Sequence, residues 1–136
     1  MILNIIKFNM NYESLNNKLN QLKIEDFIWL IYIFIIFLSW YSNTLERKYF
    51  IYNDLESKEK YRKIIIFIFS ILVIVYIYFL KDSYEDLKNL NIYDTDKKKN
   101  LTTLSFVASL LIAISGIIFL YIAYEYEDLN VELAFN

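Results

Sequence analysis

Residues 101–124 read LTTLSFVASLLIAISGIIFLYIAY and contain no Asp, Glu, Lys or Arg. A helix of about 20 apolar residues crosses the hydrocarbon core of a bilayer, which is roughly 30 Å thick. Two further runs, residues 64–80 (IIIFIFSILVIVYIYFL) and 27–41 (FIWLIYIFIIFLSWY), share this character. Because a helix satisfies its backbone hydrogen bonds internally in lipid, the chain is predicted to be an all-α integral membrane protein with three transmembrane helices.

The composition of the chain agrees with a lipid environment. Of its 136 residues, 57% are hydrophobic and 19% are aromatic, and all 14 basic and 16 acidic residues lie outside the three runs. This segregation is expected because a charged side chain at the centre of a spanning helix costs about 2.5 to 3.5 kcal/mol. Membrane lipids are therefore the expected surroundings, and the net charge of −2 gives no reason to expect nucleic acid as a partner.

The residues that usually carry metal or thiol chemistry are missing from the chain. It has no cysteine and no histidine, which excludes thiolate sites and the commonest zinc ligands. Asp94 and Asp96 are spaced like the first ligands of a calcium loop, but Lys98 and Lys99 stand where an oxygen ligand and a glycine are needed. No metal, cofactor or catalytic residue is therefore predicted.

Residues 1–26 are predicted to form an amphipathic N-terminal helix, because their apolar residues recur at spacings of three and four. We interpret this segment as a helix on the membrane surface; packing on a partner helix and a partly helical, Asn-rich tail are the alternatives. No small-residue cleavage site follows the first run, so we expect a retained transmembrane helix over residues 27–45. The apolar stripe consists of Ile5, Phe8, Tyr12, Leu15, Leu19 and Leu22.

The charged segment 46–63 is predicted to be helical and to lead directly into the second transmembrane helix, residues 64–80. Asn53 and Glu56 have the spacing of a capping box, so the helix is expected to begin in water near Asp54. Acids precede bases by four residues from there on, which supports a helix. The predicted pairs are Asp54 with Lys58, Glu56 with Lys60, and Glu59 with Lys63.

Residues 81–100 are predicted to be a polar loop containing a short helix. Ser83 and Asp86 have the spacing of a second capping box, and residues 94–100 (DTDKKKN) are polar throughout. The third transmembrane helix is expected over residues 101–124, followed by an acidic C-terminal tail over residues 125–136.

The basic residues give the expected orientation. Residues 1–26 and 81–100 would share one side of the membrane and carry eight Lys, whereas the other side would carry six Lys or Arg. The tail after residue 124 has four acids and no base. We expect a multi-pass protein of the cell membrane with its N-terminus in the cytoplasm and its C-terminus outside.

The third run carries a face of small residues, which at about 100° per residue falls within an arc of about 80°. Small side chains let helix backbones approach closely in lipid, so this face is predicted to be a helix-packing interface. It could receive another span of the same molecule, a second copy in a homo-oligomer, or a membrane protein partner. The residues are Thr102, Ser105, Ser109, Ala113, Gly116 and Ala123.

A second polar cluster lies where the first run ends. Its members are spaced i, i+3, i+4 and i+7 and so share one helix face. Two interpretations are open: an interfacial site completed by Arg62 or Lys63, or a helix end capped by Asn43. The cluster consists of Ser39, Ser42, Asn43 and Glu46.

A surface helix followed by three spans is similar in layout to the small bacterial diacylglycerol and undecaprenol kinases. That family carries a Glu-x-x-Asn-Thr-Ala-Ile-Glu motif at the interfacial end of a span. Residues Asn43, Thr44, Leu45 and Glu46 are one residue short of this motif, lack the preceding Glu and end the first span. The resemblance covers the layout alone, and it implies a lipid-modifying membrane enzyme as one alternative function.

The remaining features favour a protein that works by contact. The chain has no proline, one glycine and no charged residue within a run, whereas transporters and selective channels use broken helices or buried charges. We therefore expect a non-enzymatic accessory, regulatory or immunity-type factor. A pore-forming or holin-like oligomer is the first alternative, and the lipid-modifying enzyme is the second.

Overall fold

The computed structural model describes the backbone of residues 2–125 and the side chains of residue 2 and residues 12–125. Over this part of the chain there are three α-helices and no strand, which confirms the all-α prediction. They are α1 (Ile2–Tyr52), α2 (Leu55–Lys88) and α3 (Asp96–Glu125). The predicted acidic tail lies almost entirely outside the described residues.

Helix α1 is 51 residues long and has no break at residue 26, where the surface helix was expected to give way to the first span. No proline or glycine interrupts residues 2–52, so the sequence offers no site for a sharp kink. The chain divides into two compact units, Met1–Phe37 and Leu38–Asn136. The N-terminal amphipathic segment and the first part of the apolar run thus belong to one helix within the first unit.

Two residues connect α1 to α2. Asn53 has φ 52°, the left-handed conformation that asparagine tolerates better than most residues, and it ends α1. Asp54 is the N-cap of α2: its Oδ1 accepts a hydrogen bond from the Glu56 amide at 3.2 Å, and its Oδ2 accepts one from the Ser57 hydroxyl at 2.8 Å. The expectation that Asn53 would cap this helix is therefore wrong, because its backbone serves the end of α1 instead.

The start of α2 in solvent follows the predicted pattern of charges. Glu56 pairs with Lys60 at 3.0 Å, and Glu59 pairs with Lys63 at 3.0 Å. The hydrogen bond from Lys60 to Glu56 raises the pKa of Lys60. These exposed pairs support the first turns of the helix before its apolar run begins.

The connection between α2 and α3 is shorter than predicted. Helix α2 continues to Lys88, so Ser83 lies inside it and does not cap a separate short helix. Helix α3 begins at Asp96, and its N-terminus is capped by Thr95, whose hydroxyl oxygen accepts a hydrogen bond from the Lys98 amide at 3.2 Å. The lysines at 97–99, expected in a polar link, form the first turn of α3.

Helices α2 and α3 pack side by side in antiparallel directions, since contacts pair residues near the end of one with residues near the start of the other. Phe69 stacks on Phe119 with ring centroids 5.5 Å apart, and Tyr84 contacts Phe106 at 5.9 Å. The buried side of α2 includes Ile65 and Ile68, which are 2% and 0% exposed.

Helices α2 and α3 are each long and apolar enough to cross a bilayer, which agrees with a membrane protein. Their most apolar segments lie largely outside the packed face: 33% of that segment is buried in α2 and 17% in α3. The first apolar run lies within α1. Two candidate spans among the described residues support membrane association in general.

Candidate helix-packing site

Helices α2 and α3 approach each other closely at Gly116. A Cβ atom built on this glycine would lie 2.8 Å from Cδ2 of Tyr76 and 3.4 Å from Cγ2 of Val73. Real Cβ atoms essentially never come within 3.0 Å of a non-bonded heavy atom from another part of the chain, so a larger residue here must displace the tyrosine ring. The missing side chain is what admits the ring of α2 at this point.

Other members of the small-residue face are also buried near this end of α3. Ala113 is 3% exposed and Ala123 is 1% exposed. With Gly116 they are the buried residues of α3, and all three belong to the predicted face. A methyl group or hydrogen in these positions leaves room for the side chains that cover them.

The N-terminal members of the face are placed differently. Ser109 is half-buried, and its hydroxyl lies 2.8 Å from the Ser83 hydroxyl of α2. Thr102 is half-buried, whereas Ser105 is exposed. The structure thus brings Ser109 and Gly116 into contact with α2, buries Ala113 and Ala123, and leaves Ser105 on the surface.

Hydroxyl groups within the apolar runs are satisfied by the helix that carries them. Ser70 donates to the carbonyl of Ile66 at 2.7 Å, and Ser115 donates to the carbonyl of Leu111 at 2.8 Å. Thr103 makes the same bond to the carbonyl of Lys99. Because each hydroxyl turns back on its own backbone, these residues can face lipid without an unpaired donor.

The residues of the second polar cluster differ in their exposure. Ser42 is 1% exposed, and its hydroxyl donates to the carbonyl of Ser39 at 2.7 Å. Asn43 is exposed and Glu46 is half-buried. Asn43 lies well inside α1, so it does not cap a helix end. Within the cluster, Ser42 faces the protein while Asn43 faces outward.

Each of the two basic residues proposed to complete that cluster has a described contact. Lys63 pairs with Glu59, and Arg62 donates from Nη2 to the backbone carbonyl of Tyr124. Carbonyls of the last helical turn have no partner within the helix, so Arg62 provides one at the C-terminal end of α3. Among the described buried side-chain nitrogen and oxygen atoms, Nε of Arg62 is the one without a hydrogen-bond partner.

Sequence reasoning missed the residues of α2 that complete the contact. Tyr76 is one of the aromatic residues of the second apolar run, and its ring fills the space above Gly116. Ser83 was interpreted as a cap, yet it bonds across to α3. A search for the small and hydroxyl residues of α2 at matching antiparallel positions would have found Ser83, but no local signal distinguishes Tyr76 from the other tyrosines of its run.

The connection at residues 89–95 carries charged groups held in local hydrogen bonds. Asp94 accepts from the Asn91 amide at 2.8 Å and from Nζ of Lys98 at 3.1 Å, and these bonds lower its pKa. The described residues contain no group of three or more His, Cys, Asp or Glu side chains placed to hold a metal ion. Asp94 serves the turn between the helices.

No protein-family model, curated protein or solved structure matches this chain. The proposed function therefore rests on the arrangement of the chain's own side chains. What the described residues build is a tight helix–helix contact surrounded by apolar surface.

Proposed function

We propose that this chain is a multi-pass membrane protein of the cell membrane that acts by helix–helix contact, as an accessory, regulatory or immunity-type factor without enzymatic activity. All three apolar runs cross the bilayer, with the N-terminus in the cytoplasm. Its surroundings are membrane lipids and a membrane protein partner, which includes a second copy of itself.

The observation that carries the membrane assignment is the apolar surface left outside the α2–α3 contact. Ile74 is 69% exposed, and Leu104 and Leu111 are 62% and 59% exposed. A helix of equal hydropathy in the core of a water-soluble protein is mostly buried, since large exposed apolar patches are rare on soluble monomers. Lipid accounts for such a surface because it is as apolar as the side chains it contacts.

The first apolar run supports a third span by the same reasoning. Leu30 is 63% exposed, and Ile36 and Phe37 are 63% and 61% exposed. No charged residue lies between 27 and 45. The length of α1 leaves ample helix on either side of this run to reach the two membrane surfaces.

A contact role is favoured over a pore because the helices offer little polar lining. The hydroxyls of Ser70, Thr103 and Ser115 donate to carbonyls of their own helices, so their protons are not available to water in a channel. Water in a pore needs polar partners along the whole path. The remaining apolar surface suits lipid and other helices.

Membrane insertion is tested by washing membranes from expressing cells at alkaline pH. We expect the full chain to stay in the membrane pellet and to need detergent for release. Recovery of a dissolved monomer in plain buffer would contradict the proposal. Reporter fusions after residues 26, 53, 92 and 136 would then establish the three crossings and the orientation.

The contact role is tested by induction in cells with a membrane-potential dye. We expect the potential to be maintained, whereas rapid collapse would favour the pore-forming alternative. Alanine at Asn43 or Glu46 should leave activity of a contact protein largely unchanged. Complete loss with normal expression would favour the lipid-modifying enzyme, whose chemistry would sit at that interface.

A further inference from the structure

An apolar stripe lies exposed along the N-terminal part of α1. Tyr12 and Leu15 are 67% and 57% exposed, and Leu19 and Leu22 are 49% and 42% exposed. A large part of each residue's surface is therefore left uncovered by this chain. Four large apolar side chains in one line on a helix need a partner or a lipid surface.

The unbroken path of α1 argues against the membrane surface as the partner that covers this apolar stripe. Residues 2–37 form one helix within one compact unit, without a break between the stripe and the apolar run. At about 1.5 Å per residue, Tyr12 lies about 22 Å along the helix from Phe27. If the run crosses the bilayer, as the proposed function states, the stripe stands away from the membrane and cannot lie flat on it.

The spacing of the stripe is that of a coiled-coil seam. Leu15, Leu19 and Leu22 follow Tyr12 at steps of three, four and three, and Ile5 and Phe8 continue the same steps towards the N-terminus. Alternating steps of three and four define the a and d positions of a heptad. Between Tyr12 and Lys23 every residue outside the a and d positions is polar, so the apolar stripe there is narrower than the face of a helix that lies on lipid or on a globular core.

We propose that residues 5–23 form a parallel, in-register coiled coil with the same segment of a second copy of this chain, and that the seam ends before Asp26, which holds the next a position. Copies inserted in one membrane in the same orientation present these segments side by side and parallel. The a and d residues of a parallel seam meet their own equivalents, so one sequence supplies both halves. The inference rests on the proposed membrane crossing, which fixes the parallel direction.

The residues flanking the seam mostly permit this pairing. In a parallel coiled coil a g residue faces the e residue five positions later on the other helix. Asn11 would face Asn16, which is neutral, whereas Lys18 would face Lys23. An exposed like-charge pair weakens association by about twofold, which is small beside the burial of four large apolar side chains per helix.

The first test is disulfide cross-linking between copies. The chain contains no cysteine, so no native thiol can form a background disulfide. Full-length Leu15→Cys and Leu22→Cys variants are oxidised in isolated membranes. A disulfide needs Cα atoms within about 7 Å, which the d positions of a parallel seam provide. We expect a disulfide dimer from both variants and none from Asn17→Cys, which lies on the outer side of both helices.

The second test reverses the one unfavourable charge pair. Adding Lys18→Glu to the Leu15→Cys chain converts the contact with Lys23 of the second copy from repulsion to attraction at both symmetric sites. We expect the dimer to form about tenfold more tightly. The matched control is Lys7→Glu, the same change at a c position away from the seam, which should leave dimer formation unchanged.

The outcomes separate this inference from the proposed function. Equal disulfide formation at positions 15 and 17, or none at position 15, overturns the self-pairing. If the thiol introduced at position 15 is protected from a water-soluble maleimide but forms no disulfide, the self-pairing is also overturned, and the stripe is assigned to lipid or to a different protein. In each case alkaline washing of the same membranes reports separately whether the chain is inserted.

Discussion

The α2–α3 hairpin and the N-terminal part of α1 both carry apolar faces, but only the hairpin covers its own contact face. Ile65 and Ile68 of α2 are 2% and 0% exposed, whereas Leu15 of α1 is 57% exposed. In the hairpin the partner helix is attached through residues 89–95, so little chain entropy opposes the contact. The difference shows that hydropathy predicts which helix face will be buried, but not whether the same chain or a different molecule will bury it.

The hairpin also has specific side-chain contacts that the stripe of α1 lacks. Gly116 admits the ring of Tyr76, and a hydroxyl pair joins Ser83 to Ser109. In lipid, van der Waals packing and hydrogen bonds of this kind hold helices together, because no hydrophobic driving force acts between them there. The proposed pairing of the α1 stripe in water would need only apolar side chains at regular spacing.

The largest expected effect comes from truncating a side chain in the buried face of the hairpin. Ile68→Ala should lower the free energy of unfolding of the hairpin by about 2 to 4 kcal/mol, because the side chain is fully buried and leaves a cavity. Leu15→Ala should change it by less than about 0.5 kcal/mol. Unfolding in mixed detergent micelles, followed by circular dichroism, measures both. Equal effects would abolish the distinction between the two regions.

The next effect comes from filling the gap at Gly116. Gly116→Ile should destabilise the hairpin by about 1 to 3 kcal/mol, since its side chain must displace the Tyr76 ring. Ala108→Ile adds a bulky side chain at an exposed position of the same helix and serves as the control. The same unfolding assay applies. An unchanged Gly116→Ile variant would mean that α2 and α3 separate easily at this point.

A smaller effect is expected for the hydroxyl pair. Ser83→Ala and Ser109→Ala should show a coupling energy of about 0.6 kcal/mol in a double-mutant cycle, as is usual for side-chain hydrogen bonds between membrane helices. Ser70→Ala combined with Ser109→Ala is the control, because Ser70 bonds within its own helix. Coupling as strong in the control cycle would remove the hydrogen bond as the explanation.

The smallest effect concerns the cap of α2 and depends on pH. The Ser57 hydroxyl and nearby amides lower the pKa of Asp54 below its ordinary value of 3.8. A lowered pKa in the folded state means that the cap stabilises the helix above about pH 4 and is lost as the pH falls through the folded value. Asp54→Asn keeps an oxygen acceptor but does not titrate. Its unfolding free energy should therefore change less than that of the natural chain between pH 5 and pH 3.

Local patterns predicted the helices and much of the start of α2, because these depend on residues three or four positions apart. The pairs Glu56–Lys60 and Glu59–Lys63 are present as expected. The caps were harder to predict, since a capping-box spacing occurs at both Asn53 and Ser83 by sequence alone. Neither residue caps the start of a helix, because α1 uses the first for its end and α2 runs through the second.

The candidate sites depended on information that spacing does not contain. Ser42 and Asn43 are neighbours in sequence, yet one is buried and the other exposed, because about 100° of helix rotation separates them. The prediction that the small residues of α3 form a helix-packing interface left open whether the partner is another span of the same chain, a second copy or a different protein. The structure places Gly116 and Ser109 against α2 of the same chain.

The sequence by itself determined that the chain forms long helices with apolar segments, because hydropathy and the absence of helix breakers are properties of neighbouring residues. Only the tertiary structure decided which faces of those helices meet. The placement of Tyr76 over Gly116 depends on the rotation and register of two helices separated by a connection. Those quantities are set by the sum of contacts along both helices, and no single stretch of sequence encodes them.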